Sequence, residues 1–316
     1  MEKSPDITDY DKFSYDYSKY WKNREYEHMA ELYALSELMK NVSGKWFIDI
    51  GGSYGRNLNI YQNKYENKII CDYSIGALQK AKKTINDNKA NKVFLVAANA
   101  YNLPFRPDTF DGLALIRVLH HIENVPKLFE EINRVSSNSS LFFLEYANKN
   151  NIKAVFRELL KFNPMYLFKR APFKHKTQGY HEGSDEKSEG IILNFHPQWI
   201  RTLLVSRGYK ILNKRGVSFL RIPFLKKYLS TDELLKYEIF LQKLFGWTSI
   251  PPSIFLKLEK KGGSPAIHGD MKDILACPKC KSELRFSGNE ISCKKCNSIY
   301  KYEDGIYDLR FPLISK

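Results

Sequence analysis

Long apolar runs are missing from this 316-residue chain, and none approaches the ~18 residues that a membrane-spanning helix needs. The first residues, Met1 to Asp11, are acidic and polar and hold no apolar secretion-signal core, so a cytoplasmic protein is expected. Cysteine is scarce. Of 5 cysteines, four sit in two tight pairs near the C-terminus, a pattern for holding metal in a reducing compartment and not for a disulfide framework. An excess of acid is absent too, since 50 basic against 35 acidic side chains leave a net charge of +15. The surplus is local: residues 151–266 hold 21 basic and 9 acidic groups, a net of +12. Such a surface attracts phosphate-rich partners such as RNA, nucleotide-linked substrates or anionic membrane; its plainer reading is a solvated lysine face. With 43% hydrophobic and 27% charged residues, the chain is globular, with room for one α/β domain and a small module.

Two periodicities alternate along the chain. Aromatics crowd Tyr10, Phe13, Tyr15, Tyr17, Tyr20, Trp21 and Tyr26. A helix is predicted over Glu25 to Met39, with Met29, Leu32, Leu35 and Leu38 on its apolar stripe. Strands are predicted at Trp46–Ile50, Lys68–Asp72, Lys92–Ala97, Phe110–Ile116 and Ser140–Tyr146. Helices alternate with them at Arg56–Tyr65, from an N-cap at Ser74 to Asn88, and from Pro126 through Val135. Strands alternating with helices imply a doubly wound α/β sheet, whose ligands bind beyond the carboxyl ends of the strands. Beyond Tyr146 come a basic amphipathic helix over Ile152–Phe162 and a long polar stretch, Lys169–Asn194, suited to a lid or substrate loop. A helix at Pro197–Arg207, strands at Tyr209–Val217 and Ser253–Glu259, and a Gly/Ser/Pro linker at Lys260–Asp270 follow.

The phrase Trp46-Phe-Ile-Asp-Ile-Gly-Gly-Ser-Tyr-Gly-Arg56 runs an apolar strand into a glycine-rich turn, where the backbone can approach a ligand closely. The next strand ends in Asp72, an acid placed to bind both hydroxyls of a ribose. These two features fit a nicotinamide dinucleotide as well as S-adenosylmethionine (SAM). The segment Ala98-Asn-Ala-Tyr-Asn-Leu-Pro-Phe-Arg-Pro-Asp-Thr-Phe-Asp111, followed by Arg117-Val-Leu-His-His-Ile-Glu123, is more specific. It resembles the class I methyltransferases typified by the ubiquinone/menaquinone-biosynthesis enzymes, and is similar to wobble-uridine tRNA methyltransferases. The resemblance spans about Lys45 to Tyr146. It implies a Rossmann-like methyltransferase in which Asp49, Gly51 and Gly55 shape the methionine and ribose pocket and Asp72 binds the ribose. Asn99 and Ala100 would edge the adenine, Arg117 would lie near the methionine moiety, and Gly52 and Tyr73 would complete the cofactor set. Two positions depart from the family pattern: Ser53 replaces the middle glycine of the turn, and Asn99 replaces the adenine-edge acid.

Methyl transfer is a displacement at an activated sulfonium carbon, so the enzyme mainly aligns the nucleophile and removes its proton. His120, His121 and His196 are the catalytic candidates, with Glu145 a further possible base. The His120–His121 pair reads more readily as packing or orienting, and a lone histidine such as His196 is more often a satisfied polar residue. Asn163-Pro-Met-Tyr166 is similar to the Asn-Pro-Pro-Tyr motif of amino-group methyltransferases but follows the wrong strand, so it is read as coincidence. Tyr20-Trp21 and Arg24-Glu-Tyr26 either close over the cationic sulfonium or pack the first helix.

Cys277-Pro-Lys-Cys280 and Cys293-Lys-Lys-Cys296 are two Cys-x-x-Cys knuckles 12 residues apart, a four-thiolate set suited to structural Zn2+. A module this small would draw much of its folding energy from the metal. The tail from Ile274 to Ile306 resembles the zinc-ribbon activator subunit of tRNA, ribosomal RNA and release-factor methyltransferases, which implies a ribbon packed on the catalytic domain in cis. Lys279, Lys281, Lys294 and Lys295 would serve a direct RNA or protein contact instead. Cys71, inside the second strand, reads as a small core residue.

The expected organisation is an aromatic, helical cap (1–44), a SAM-dependent methyltransferase domain (45–260, with a basic substrate or lid segment over 151–253), a linker (261–270) and a zinc ribbon (271–316). The acceptor is an RNA, slightly favoured by ribbon and charge, or a small or lipid-linked metabolite. The alternative is a non-catalytic SAM-binding scaffold whose ribbon recruits a partner. A nicotinamide enzyme is disfavoured by the Leu103-Pro-Phe and Phe110-Asp111 segments.

Overall fold

Eleven strands form one continuous sheet in the computed structural model, which describes residues 20–174, 179–180, 187–188, 192–266 and 269–313. Tyr10, Phe13, Tyr15 and Tyr17 lie outside the described residues, as does part of the Lys169–Asn194 stretch. The strands are β1 (Gly44–Ile50), β2 (Tyr65–Asp72), β3 (Val93–Ala97), β4 (Phe110–Leu115), β5 (Ser136–Ala147), β6 (Tyr209–Val217) and β7 (Ser253–Lys260). Four more follow at the C-terminus: β8 (Leu284–Ser287), β9 (Glu290–Cys293), β10 (Ile299–Glu303) and β11 (Ile306–Asp308). Their spatial order is β6-β7-β5-β4-β1-β2-β3-β11-β10-β9-β8. β1 to β5 pair in parallel, and β7 and β6 add an antiparallel edge. The order reverses between β1 and β4, the switch point where an open α/β sheet leaves a crevice.

The helices are α1 (Glu25–Leu38), α2 (Leu58–Tyr61), α3 (Ile75–Asp87), α4 (Val125–Val135), α5 (Ile152–Leu160), α6 (Pro197–Val205), α7 (Pro223–Tyr228), α8 (Thr231–Phe245) and α9 (Met271–Ile274). Side-chain caps start several of them: Ser74 accepts from Ala77 N, Asn124 from Lys127 N and Asn151 from Ala154 N. The helix expected over Arg56–Tyr65 is only the single turn of α2, because Gly51–Asn57 is consumed by the turn and Tyr65 already belongs to β2. α1 buries Leu35 and Leu38 of the expected stripe but not Met29. Tyr26, Ala30, Ala34 and Leu38 face inward, whereas Met29 is exposed. The small alanines let α1 approach α8 closely, and Ala30 O accepts from Gln242 Nε2 at 3.2 Å.

α8 has no counterpart among the sequence expectations, and its burial explains why. Besides Leu234, it buries Glu238 and Gln242 and leaves Tyr237, Phe240 and Leu244 exposed. Glu238 is fully buried: its Oε2 accepts from Tyr26 Oη, and its Oε1 accepts from Ser218 N at 2.7 Å and from Gln242 Nε2 at 3.0 Å. This network stands where an apolar seam would usually be, and it is tolerable because its donors converge on one carboxylate.

The C-terminal module is welded to the main sheet. β11 pairs in parallel with β3, placing Ile306, Tyr307 and Asp308 opposite Leu95, Val96 and Ala97. Leu309 N continues the ladder to Ala97 O at 2.9 Å. On another face, Arg106 N donates to Ile274 O and Ala276 N to Pro104 O, each at 2.9 Å. Trp46 Nε1 reaches Gly269 O, and Lys281 binds both Leu103 O and Glu131. Ile274, Leu275, Cys277 and Tyr300 belong to the same apolar cluster as Trp46, Phe105 and Phe110, so module and sheet share one core. Residues 261–266 hug the body, with Lys261 N on Gly208 O and Ser264 O accepting from Asn138 N. No helix among the described residues is long and apolar enough to cross a membrane.

Glu238→Ala removes the acceptor of three buried donors. Urea unfolding of this variant is expected to show a loss of about 1–3 kcal/mol, and Glu238→Gln a smaller one; an unchanged midpoint would contradict the network's role.

Candidate functional site

β1 delivers Asp49 and then the turn Gly51–Gly55 to the carboxyl end of the sheet. Gly51 N and Gly52 N both donate to Cys71 O, at 2.7 and 3.1 Å, which pins the turn across the end of β2. Gly51 has φ +71°, and a Cβ there would lie 2.3 Å from a Val118 methyl, so the tight approach of the β4 loop requires glycine. Ser53, the departure from the family's glycine, sits in the left-handed region at φ +49°. Its amide donates to Asp72 Oδ2 at 2.8 Å. Ser74 N donates to Asp72 Oδ1 at 3.0 Å. Both oxygens of Asp72 are therefore oriented by backbone amides, and the carboxylate is fixed at the end of β2.

Asp49 is buried, and Tyr61 Oη donates to its Oδ2 at 3.2 Å. Burial pushes its carboxyl up to about 7; the Tyr61 and Asn57 hydrogen bonds and the Arg56 charge oppose the rise, and the Asp72 charge adds to it. Cys71, between the two acids, has its thiol pushed up by burial and is an inert core residue. Asn99 Oδ1 accepts from Tyr101 N at 2.8 Å, which turns the chain after β3 and leaves Asn99 and Ala100 half-buried at the rim.

Arg117 follows β4 in a strained left-handed conformation, φ +64°. Glu145, fully buried at the end of β5, holds it there by accepting from Arg117 N at 3.0 Å. Its other oxygen accepts from Ser253 Oγ at 2.6 Å, so both oxygens support backbone and strand packing. Burial raises the Glu145 carboxyl, opposed by the Arg117 charge. The Arg117 guanidinium donates to Tyr20 Oη at 2.6 Å and lies 3.9 Å from Glu31. Glu31 also pairs with Arg56 at 3.0 Å, and Arg56 stacks on Trp21 with its guanidinium carbon 4.2 Å from a ring centroid. Tyr20 and Trp21 thus cover the charged rim of the crevice, whereas Tyr26 packs inward onto Glu238. Glu31 and Arg56 escape a sequence reading because only the fold brings them to Arg117.

His120 is buried in a single helical turn at Leu119–His121, with its ring 4.0 Å from that of His121. Burial, and then the His121 and Arg117 charges, hold it well below the ordinary histidine range, so it is neutral at pH 7. His196 caps α6. Its Nδ1 accepts from Gln198 N at 3.1 Å, and its Nε2 faces Leu167 O at the same distance. Both ring nitrogens are engaged, and a proton-accepting role would require breaking the cap. Asn163–Tyr166 lies in and before the turn after α5, where Asn163 binds Glu158, so it is a local device.

The C-terminal module reaches this crevice. Arg310, paired with Asp308, donates to Tyr73 O at 3.0 Å, and Phe311 meets the Tyr73 ring edge-on at 6.0 Å. Behind it, the Sγ atoms of Cys277, Cys280, Cys293 and Cys296 all lie within 4.8 Å of one another. Cys277–Cys296 and Cys280–Cys293 are 3.6 and 3.4 Å apart. Those separations are far too long for disulfides and close to the roughly 3.8 Å edge of a tetrahedron with ~2.3 Å zinc–sulfur arms.

Comparison with known proteins gives the same direction. The family described as "Methyltransferase domain" matches residues 48–144. An uncharacterized protein of Methanocaldococcus jannaschii is 33% identical over 233 residues, covering 73% of this chain and 86% of that protein. The demethylmenaquinone methyltransferase of Thermobifida fusca is 27% identical over 94 residues, 30% of this chain and 40% of that protein. Among solved structures, a chain from the complex between the Haloferax volcanii Trm112 methyltransferase activator and its candidate methyltransferase superposes with a TM-score of 0.53. It is 12% identical, and the match covers 81% of this chain and 100% of that one, a likeness of fold.

The buried Asp49 gives a pH test. Folded Asp49 keeps its proton to about pH 7, whereas an unfolded aspartate ionises near pH ~4. Folding takes up a proton between these values, so this contribution to stability is full below pH ~4 and is lost as pH rises toward 7. Asp49→Asn is expected to be more stable than the native chain at pH ~8, by at least ~1 kcal/mol, with the gap closing near pH ~4. Thermal melts across this range check it, and a pH-independent difference would refute it.

Proposed function

We propose a specific activity for this chain, which belongs to the class I SAM-dependent methyltransferases: it binds SAM in the crevice at the carboxyl ends of β1 to β4 and transfers the methyl group to an acceptor presented from the basic 151–266 segment. The observation that carries the reading is the Asp72 carboxylate, held by two backbone amides beside the glycine turn. A carboxylate so oriented suits a ribose diol. Gly51, Gly52 and Gly55 leave the turn bare for the nucleoside, and Asn99, Ala100 and Tyr73 line the adenine side. Asp49 and Arg117 flank the amino-acid portion. Trp21 Nε1, a buried donor with no partner among the described residues, faces the same charged rim and suits a ligand acceptor.

In the transfer, a lone pair on the acceptor attacks the methyl carbon in line, the carbon–sulfur bond breaks, and S-adenosylhomocysteine leaves as a neutral thioether. The acceptor's proton passes to water or to a base at the carboxyl end of β4 or β5. His120 and His121 are the candidates with the right position. His196 serves better as a helix cap, and Glu145 as the support of Arg117. The four C-terminal cysteines suit one structural Zn2+, whose role is to fold the module that closes the sheet. The Haloferax neighbour is solved with an activator protein; here the ribbon belongs to the same chain and pairs with β3 in cis. The acceptor proposed is phosphate-bearing or lipid-linked, matched to the net +12 of residues 151–266.

Asp72→Ala is expected to weaken SAM binding at least ~30-fold by calorimetry, the loss of a charge-assisted bidentate contact, and unchanged affinity would remove the site assignment. Purified chain is expected to carry one zinc, lost in Cys293→Ser together with ribbon folding. Incubation of the chain with methyl-labelled SAM and cell extract, fractionated into RNA, protein, lipid and small molecules, identifies the acceptor. SAM binding without label in any pool would favour the non-catalytic scaffold.

A further inference from the structure

Two helices of the 148–250 region are built inside out. α5 buries only Ala154 and Glu158 and turns Ile152, Phe156, Leu159 and Leu160 to the outside, a stripe at i, i+4, i+7 and i+8. α8 likewise buries Glu238 and Gln242 and exposes Tyr237, Phe240 and Leu244. The start of α5 is tied to the segments that flank α7 and α8. Ile152 N donates to Ile250 O at 2.9 Å, just past the end of α8. Lys153 Nζ donates to Arg221 O, just before α7. In the same region Phe162 is 94% exposed, Trp247 73% and Phe168 72%. A soluble surface seldom carries this many large exposed apolar groups in one region without a partner.

Charge indicates which partner. Residues 149–174 hold seven basic side chains and one acid. The acid, Glu158, is turned inward and engages Arg157, Lys161 and Asn163. Lys161, Lys169, Arg170 and Lys227 are exposed beside the apolar groups. We propose that this face docks on the surface of an anionic lipid bilayer. Aliphatic side chains such as Leu159, Leu160 and Ile250 enter the acyl boundary, Trp247 sits at headgroup level, and the lysines extend to the phosphates. Single-stranded RNA could stack on the exposed rings, but the aliphatic Ile152, Leu159, Leu160 and Leu244 offer it no ring face and would stay in water. A second copy would bring like charges together across a two-fold interface. Membrane docking stands apart from SAM binding, because none of these residues belongs to the cofactor crevice.

The test is co-sedimentation of the full chain with vesicles of phosphatidylcholine alone and of phosphatidylcholine mixed with phosphatidylglycerol. Binding to the mixed vesicles, weakened by salt, is expected. Phe162→Ser/Trp247→Ser is expected to lower it at least ~10-fold, and Lys161→Glu/Lys227→Glu to abolish the preference for anionic lipid, both with SAM affinity unchanged. The proposal is overturned if the native chain stays in the supernatant with both vesicle types, if the variants bind like the native chain, or if sedimentation velocity shows the apolar face closing a dimer that does not bind vesicles. Preferential binding of RNA that competes the chain off vesicles would assign the basic side chains to nucleic acid and overturn it equally.

Discussion

The parallel pairing of β11 with β3 is the contact on which the two halves of the molecule depend. Without it, β3 would be an open parallel edge, with its amides and carbonyls exposed where parallel sheets are normally covered. Without it, the C-terminal module would have too few apolar groups to fold on its own. Joined, they share a core in which Trp46 and Phe105 from one side meet Leu275, Cys277 and Tyr300 from the other. The same ladder carries Arg310 and Phe311 to Tyr73 at the mouth of the crevice. One set of backbone hydrogen bonds therefore closes the sheet, seats the four-cysteine knuckles and supports the Tyr73 side of the crevice.

Carboxylates do the remaining structural work around that crevice, each differently. Asp72 is held by amides and kept in position for a ligand. Glu145 accepts the amide of a strained Arg117 and so fixes the far rim. Glu31 draws Arg56 and Arg117 together beneath the aromatic pair Tyr20 and Trp21. Asp49 is buried, and burial pushes its carboxyl up to about 7, which suits an acid meant to be neutralised by a cationic ligand. The site is polar, but most of its polar atoms are tied to backbone or to one another, so the crevice is shaped in advance of binding.

Much of this arrangement was legible in the residues themselves. β1 to β5, α3 and α4 follow from apolar runs and N-caps that agree with their tertiary surroundings, and the glycine turn, Asp72 and the paired cysteines stand at spacings that chemistry restricts. The failures have physical causes. α8 was invisible because its buried stripe is polar: a periodicity reading looks for leucines inward, and Glu238 and Gln242 occupy that side. In α1 the same rule chose Met29 over the alanines, because it cannot weigh how closely a neighbouring helix must approach. The glycine turn consumed residues that looked helical after Arg56. His196, weighed as a base or as a satisfied polar residue, caps α6 with both ring nitrogens engaged. The β11–β3 pairing and the Arg310–Tyr73 contact join residues more than 200 positions apart, a distance over which a single sequence carries no pairing signal.

If closing the β3 edge is what keeps the cofactor crevice in shape, the cofactor and the ribbon metal are thermodynamically linked. The direct measurement is calorimetric titration of SAM into the zinc-loaded full chain and into the same chain after chelation, beside Arg310→Ala with its zinc retained. A fall in affinity of at least ~5-fold on chelation, and a smaller fall in Arg310→Ala, is expected from the coupling. Equal affinity in all three would contradict it and reduce the ribbon to a passive appendage.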